Sequence, residues 1–320
     1  AAVSRLEDLV ARDPQAVDAR ALLINAYVSE HRLDEAQTLL NAAPEPDAPA
    51  LLLARGRLEL AAGRPNAAIG TLDQALARGR PAVDARVALA QALRATGDVA
   101  AAREAIDAAY AIAPKHQSVL FQRARLALTD LAAPQDVLEQ GITAYESLRD
   151  QVGDNLDIAF LGGYIELRRG NTQKGLDLLR HVFENTRSTE SLLGYTDALW
   201  AVGMQRTAMD TLERWLEAHP QDTRALIAKG NYFLMAGEYA DAATDLQQAK
   251  TRGADHAWMD ASLAYVLAKS GDMGTAEPLA REALKASPND TMALNALGLV
   301  AMGRGDPRGA VKLLEEAIDT

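Results

Sequence analysis

The sequence predicts an all-α fold, a solenoid of about nine stacked helical hairpins, and three observations carry that prediction. Glycines that close apolar helical patterns fall at Gly203, Gly237, Gly271 and Gly305, three successive intervals of 34 residues, and Gly63 and Gly97 are again 34 apart. Five residues after each such turn a small residue recurs: Ala68, Ala102, Gly175, Ala208, Ala242, Ala276 and Ala310, with Ala36 five after His31. Pro14, Pro114, Pro220 and Pro288 keep nearly the same register. At 320 residues the chain also exceeds the ~250 to 300 at which one compact core stops growing, which favours an array over a single globule.

Each unit follows from local chemistry. A first helix runs into the glycine, as in Leu192, Tyr195 and Leu199 or Leu294, Leu297 and Gly298. Glycine ends it because it adopts the left-handed C-cap conformation at little cost, and Asp98, Asp272 or Asn171 beside it can start the second helix. The second helix shows one apolar face at four-then-three spacing, such as Ala68, Leu72 and Ala75 or Ala242, Leu246 and Ala249. Small residues at its start let the two helices approach closely. Proline then closes the unit, since it lacks a donor and disfavours helical geometry in the residue before it, as at Ala113-Pro114, His219-Pro220 and Ser287-Pro288.

With its 34-residue helix-turn-helix unit and its large, small and terminal-proline positions, the chain resembles the tetratricopeptide repeat family over essentially its whole length. In that register units start near Val17, Pro49, Val83, Gln117, Leu156, Thr189, Thr223, Ala257 and Thr291, forming a single solenoid over residues 1–320. The Gln117 unit departs from the pattern. Leu131 replaces the turn glycine, Asp136 occupies the small-residue position, and the second half runs long, so an irregular junction is expected over residues 129–155. Trp215 also replaces a usual small residue, so packing around residues 212–220 should differ from the average repeat. Residues 1–13 read as an orphan second helix and the chain stops before a closing proline, so both ends look truncated.

The resemblance implies a right-handed superhelix whose first helices line a concave face. Inward-facing residues would fall at the second, fifth, ninth, twelfth and thirteenth positions of each unit. On this chain that register singles out Phe160, Tyr164, Arg168, Asp197, Trp200, Asn231, Met235, Trp258, Tyr265 and Lys269 as candidate binding residues. Eleven of the 15 aromatic residues follow position 150, and aromatics interspersed with polar groups suit recognition of a peptide or a glycan. The lysine-and-asparagine clamp that some family members use on a chaperone's C-terminal carboxylate is missing: Asn25 and Asn231 occupy ninth positions, but the matching fifth positions are Ala21 and Ile227.

Other chemistries find no footing. The net charge of -11 argues against nucleic acid, with 16 basic and 20 acidic residues up to position 150 and 17 and 24 after it, so neither half is basic. No apolar run reaches the ~20 residues that span a bilayer, and the first residues carry no signal-peptide pattern, so no direct membrane insertion by this segment is expected. The absence of cysteine removes thiolate nucleophiles and cysteine-ligated zinc. His31, His116, His181, His219 and His256 recur at no metal-pair spacing. The glycines at 298, 303 and 305 lack the ending of a phosphate-binding loop, and no Gly-x-Ser-x-Gly elbow is present. The stretch Ala43 to Pro49 reads as a stiff connection between helices rather than a proline-rich ligand. No catalytic residue, metal or cofactor is expected.

The reading is therefore a non-enzymatic interaction scaffold whose concave groove binds a protein segment or a polysaccharide. The Ala-, Leu- and Arg-rich style, with one lysine in the first 150 residues, looks bacterial. It is similar to the repeat lipoproteins of exopolysaccharide and PEP-CTERM systems, which points to a periplasmic or outer-membrane-associated setting in an assembly or secretion system. The alternatives are a substrate-positioning region of a larger enzyme and a cytoplasmic regulatory adaptor.

Overall fold

The computed structural model describes residues 2–30, 32–79, 82–130, 133–254 and 257–318; His31, Leu131, His256 and Thr320 lie outside them. Among the described residues there are nineteen α-helices and no strand. The fold is an all-α solenoid of helical hairpins, and the chain divides into two compact units, Ala1–Thr186 and Arg187–Thr320.

The first unit opens with a lone helix, α1 (Ala2–Arg12). Five hairpins follow: α2 (Val17–Ser29) with α3 (Leu33–Asn41), α4 (Pro49–Ala61) with α5 (Pro65–Ala77), α6 (Ala82–Thr96) with α7 (Val99–Ile112), α8 (Gln117–Thr129) with α9 (Gln135–Val152), and α10 (Leu156–Arg168) with α11 (Thr172–Thr186). The second unit has four: α12 (Thr189–Ala201) with α13 (Gln205–Ala218), α14 (Thr223–Ala236) with α15 (Tyr239–Thr251), α16 (Ala257–Ser270) with α17 (Met273–Ala286), and α18 (Thr291–Gly303) with α19 (Pro307–Ile318).

Helix starts follow from side-chain caps and proline. Asp98 accepts from the Ala101 amide at 2.9 Å, Asp272 from Thr275 at 3.0 Å and Asp290 from Ala293 at 3.0 Å, while Pro49 and Pro65 open α4 and α5. Asn171 stands directly before α11, its carbonyl accepting from the Gly175 amide at 3.0 Å, and its side-chain amide donates to Glu166 at 2.8 Å. At the turns, Gly237 ends α14 with φ 80, and the amides of Gly237 and Glu238 return to the carbonyls of Leu234 and Phe233.

In four of the hairpins a leucine of the second helix seats on a glycine of the first. A Cβ on Gly56 would lie 2.6 Å from Leu72, one on Gly163 2.7 Å from Leu179, and one on Gly230 3.0 Å from Leu246. Burial of such a leucine stabilises by roughly 1.5 to 3 kcal/mol, and Leu72 and Leu246 are fully buried. The α10–α11 pair is tighter still, because Gly175 faces Gly163 and its added Cβ would meet the Gly163 carbonyl oxygen at 2.8 Å.

The α8–α9 hairpin solves the same problem in a shifted register. Asp136 is exposed, and the close approach is made five residues later by Gly141, whose Cβ would lie 2.4 Å from Ala127 Cβ. Trp215 is buried in α13, where its indole donates to Asp222 Oδ2 at 2.8 Å and stacks on the His219 ring at 3.8 Å. Asp222 also caps α14 and accepts from Thr189 Oγ1 at 2.6 Å, so one carboxylate joins three helices of the second unit.

Candidate functional site

The first helices carry the ten candidate residues, and the structure gives them two fates. In α10, Phe160 and Tyr164 are buried at 6% and 4% exposure. Their rings meet edge to face at 5.3 Å, and the Arg125 guanidinium of α8 lies 5.8 Å above Phe160. These two aromatics fill the space between α8 and α10 and offer little surface to a ligand.

Arg168, at the end of α10, reaches back over the end of α8. Its guanidinium donates to the carbonyls of Ala127 and Leu128 at 3.3 Å and to that of Asp130. Burial holds this guanidinium below its usual range, partly offset by the nearby Asp130 carboxylate. A charged donor on helix-terminal carbonyls is the side-chain counterpart of a C-cap. Arg168 thus acts on the fold of the first unit.

The second unit keeps more of its candidates open. Trp200 of α12 is half-buried and stacks on Tyr232 of α14 at 4.3 Å with the rings 12° apart. Tyr232 donates to Asp197 Oδ1 at 2.6 Å, so one tyrosine ties both α12 candidates together. Arg224 and Glu190, also at corresponding positions in α14 and α12, pair at 2.8 Å. Asn231 is half-buried and Met235 is 66% exposed.

On α16, Trp258 and Tyr265 are half-buried against the apolar cluster of Leu226, Ile227, Met259 and Leu263. Tyr265 meets Tyr239 of α15 edge-on at 6.5 Å. The exposed Lys269 ammonium sits 5.0 Å from the Tyr239 ring centre and has no carboxylate partner among the described residues. Met302 of α18 is 59% exposed. The result is a surface of methionine, aromatic edges and one available cation, with the remaining charges mutually satisfied.

Two contributors escaped the positional reading. Tyr232 lies one residue beyond a nominal inward position, and Tyr239 belongs to a second helix. Their signal was the aromatic ring itself, one helical turn or less from Asn231, Met235 and the turn at Gly237.

The first unit has a small open cleft of about 40 Å³ lined by Arg103, Asp107, Arg123 and Gln140 among others. Its arginines are engaged already: Arg103 with Asp130 at 2.6 Å, Arg123 with Asp107 at 3.1 Å and with Gln140 at 2.8 Å. Among the described residues no group of three or more histidine or acidic side chains is placed to hold a metal. No described helix is long and apolar enough to cross a membrane.

No curated protein matches the chain. Among solved structures it is similar to a tetratricopeptide repeat protein from Parabacteroides merdae ATCC 43184, at 16% identity over 79% of this chain and 98% of that one, with a TM-score of 0.47. It is also similar to MamA from Desulfovibrio magneticus RS-1, at 18% identity over 52% of this chain and 95% of that one, with a TM-score of 0.44. Family models described as tetratricopeptide repeat match residues 1–58, 53–116, 197–257 and 262–320. With well over half its length matched by these models, the chain belongs to the tetratricopeptide repeat family.

Proposed function

We propose that the chain is a non-enzymatic interaction scaffold that holds a segment of a partner protein against the first-helix face of the Arg187–Thr320 unit. The carrying observation is the contrast in exposure. Met235, Met302, Trp258, Tyr265 and Lys269 stay wholly or partly open, whereas Phe160, Tyr164 and Arg168 are spent on packing and capping. Exposed methionines adapt their shape to an apolar partner, aromatic edges give rigid contact area, and Lys269 supplies a charge that fixes orientation. Asp197, Trp200 and Asn231 extend this surface towards α12. Its partner would be an apolar peptide segment carrying an acidic group.

Family membership supports a protein partner. A polysaccharide ligand and a place in a bacterial envelope assembly are extensions of the proposal supported by sequence style alone. One binding screen separates the arms: the purified chain against a peptide library and against neutral and anionic bacterial exopolysaccharides, beside Met235→Glu and Lys269→Glu variants. Saturable peptide binding weakened about tenfold or more by each substitution, equivalent to ~1.4 kcal/mol, is the expected result. Binding that both variants retain unchanged would overturn the site, and saturable binding to glycans alone would replace the peptide by a sugar chain.

A further inference from the structure

Sulfur is distributed unevenly along the chain. There is no cysteine, and all seven methionines fall between positions 204 and 302, so sulfur oxidation in this chain rests on methionine and on the second unit. The structure sorts those methionines by access. Met259 of α16 is 2% exposed, Met273 and Met292 are packed against the core, and the Met292 sulfur also accepts from Ser262 Oγ at 3.8 Å. Met235 of α14 is 66% exposed. That access belongs to the interior of the array, since α12 precedes α14 and α16 follows it among the first helices of this unit. Met235 stands two residues before the turn at Gly237, on the face where the partner segment is placed above.

A thioether so placed meets dissolved oxidants directly. With hydrogen peroxide, a lone pair of the Met235 sulfur attacks one peroxide oxygen and the O–O bond breaks. The proton on the transferred oxygen goes to the departing hydroxide, which leaves a sulfoxide on the side chain and releases water. Sulfur is oxidised by two electrons and the peroxide is reduced by the same two. The product is a polar, chiral S=O group in place of a flexible apolar end. A surface whose attraction depends on an adaptable methionine then carries an oxygen acceptor, and an apolar segment docking there must strip that oxygen of water without replacing its hydrogen bonds.

We propose that Met235 is an oxidation switch: a peroxide converts it to the sulfoxide and thereby releases the apolar partner segment from the Arg187–Thr320 unit. The release rests on the scaffold reading above, whereas the order in which the sulfurs react rests on burial alone. Met204, 43% exposed at the start of α13, oxidises as well but lies outside the first helices, so its oxidation leaves the binding face as it was. Methionine sulfoxide reductases, one for each epimer at sulfur, return Met235 to the thioether and restore binding.

The test treats the full 320-residue chain with dilute hydrogen peroxide and maps the added oxygen by peptide mass spectrometry. Met235 should gain its oxygen well before Met259, with the helical circular dichroism unchanged because the reacting sulfur faces solvent. Met259 reacting first or at the same rate would overturn the proposal. Binding is then read with the tightest member of the peptide library, on chains that all carry Met302→Leu, which removes the other exposed methionine found on a first helix among the described residues. Peroxide should weaken that binding about tenfold or more, the two reductases should reverse the loss, and Met204→Leu should show the same loss. Met235→Leu is compared with its own untreated affinity, and treatment should leave that value in place. A loss that persists in Met235→Leu, or an oxidised chain that binds as the untreated one does, would overturn the switch and leave the scaffold standing. An untreated chain that binds no peptide would overturn the scaffold reading and the switch with it, whatever the order of oxidation.

Discussion

Helices α10 and α16 carry the same pair of residue types at the same two positions of the repeat. Tyr164 and Tyr265 hold the ninth position, and Arg168 and Lys269 the thirteenth. In α10 the tyrosine is buried and the cation is bound to the carbonyls at the end of α8. In α16 the tyrosine is half-open and the cation is exposed above Tyr239. The difference originates one hairpin earlier. Helix α14 ends at Gly237, whose left-handed conformation lets the backbone satisfy its own last carbonyls, so nothing draws Lys269 backwards. Helix α8 ends at Thr129 without that glycine, and Arg168 supplies the missing donors. A turn glycine in one repeat thus bears on whether a cation in the next is bound to backbone carbonyls or left exposed.

The contrast breaks most strongly where α10 is packed most tightly. Gly163 and Gly175 bring α10 and α11 to backbone contact, whereas the matching positions in α16 and α17 are Ala264 and Ala276, both fully buried. Gly175→Leu should cost about 3 kcal/mol or more through overpacking, since its Cβ meets Leu167 at 2.7 Å and, at 2.8 Å, the Gly163 carbonyl oxygen, which no rotamer can move. Urea unfolding should show the loss in a transition belonging to the first unit, with Tyr164 exposed early. A loss below about 1 kcal/mol would mean that α10 is not clamped in this way.

Next in size is the cap itself. Arg168→Ala should destabilise the first unit by about 2 kcal/mol, the scale for charged donors on buried carbonyls, and should speed hydrogen exchange at the end of α8. Lys269→Ala should change stability by no more than about 0.5 kcal/mol, as expected of an exposed side chain, while weakening partner binding. Equal stability losses at the two positions would remove the proposed division of labour.

How much of this could be read in advance follows from range. The hairpins were legible because their marks are local: a glycine, a small residue five places on, a leucine four beyond that. The wall was legible only as a list of positions. Phe160 and Tyr164 face inward in sequence register, yet Arg125 and the rest of α8 close over them, a contact 35 residues away in sequence. Arg168 looked like a ligand-binding cation because the carbonyls it satisfies belong to another helix. Asn171 sits beside a glycine like the capping aspartates, but that its side-chain amide reaches back to Glu166 is not written in that spacing. The five-residue shift that moves the close approach from Asp136 to Gly141 left its trace in the sequence as the interval from Gly97 to Gly170, two periods plus five. That trace locates the irregular hairpin but does not say which residue makes the contact.

The smallest expected effect concerns acid, and it compares one carboxylate from each unit. Glu166 of α10 is held below the usual carboxylate range by hydrogen bonds from Asn171 and Lys174, and Glu277 of α17 by Arg304, with Arg281 adding to it at 2.5 Å. A carboxyl whose folded pKa lies below its unfolded value of ~4.3 contributes stability that is fully present above that value and is lost as the pH falls through the folded pKa. Glu277→Gln should therefore lie slightly below the parent chain in urea midpoint at pH 7 and converge with it towards pH 3. Because Arg281 and Arg304 are well exposed, added salt should narrow the gap at pH 7. Glu166→Gln should respond less to salt, since its leading partner is the neutral Asn171 amide. A gap for Glu277→Gln that persists undiminished at pH 3 would show that the side chain stabilises by packing rather than by charge, and the comparison with Glu166 would then rest on shape alone.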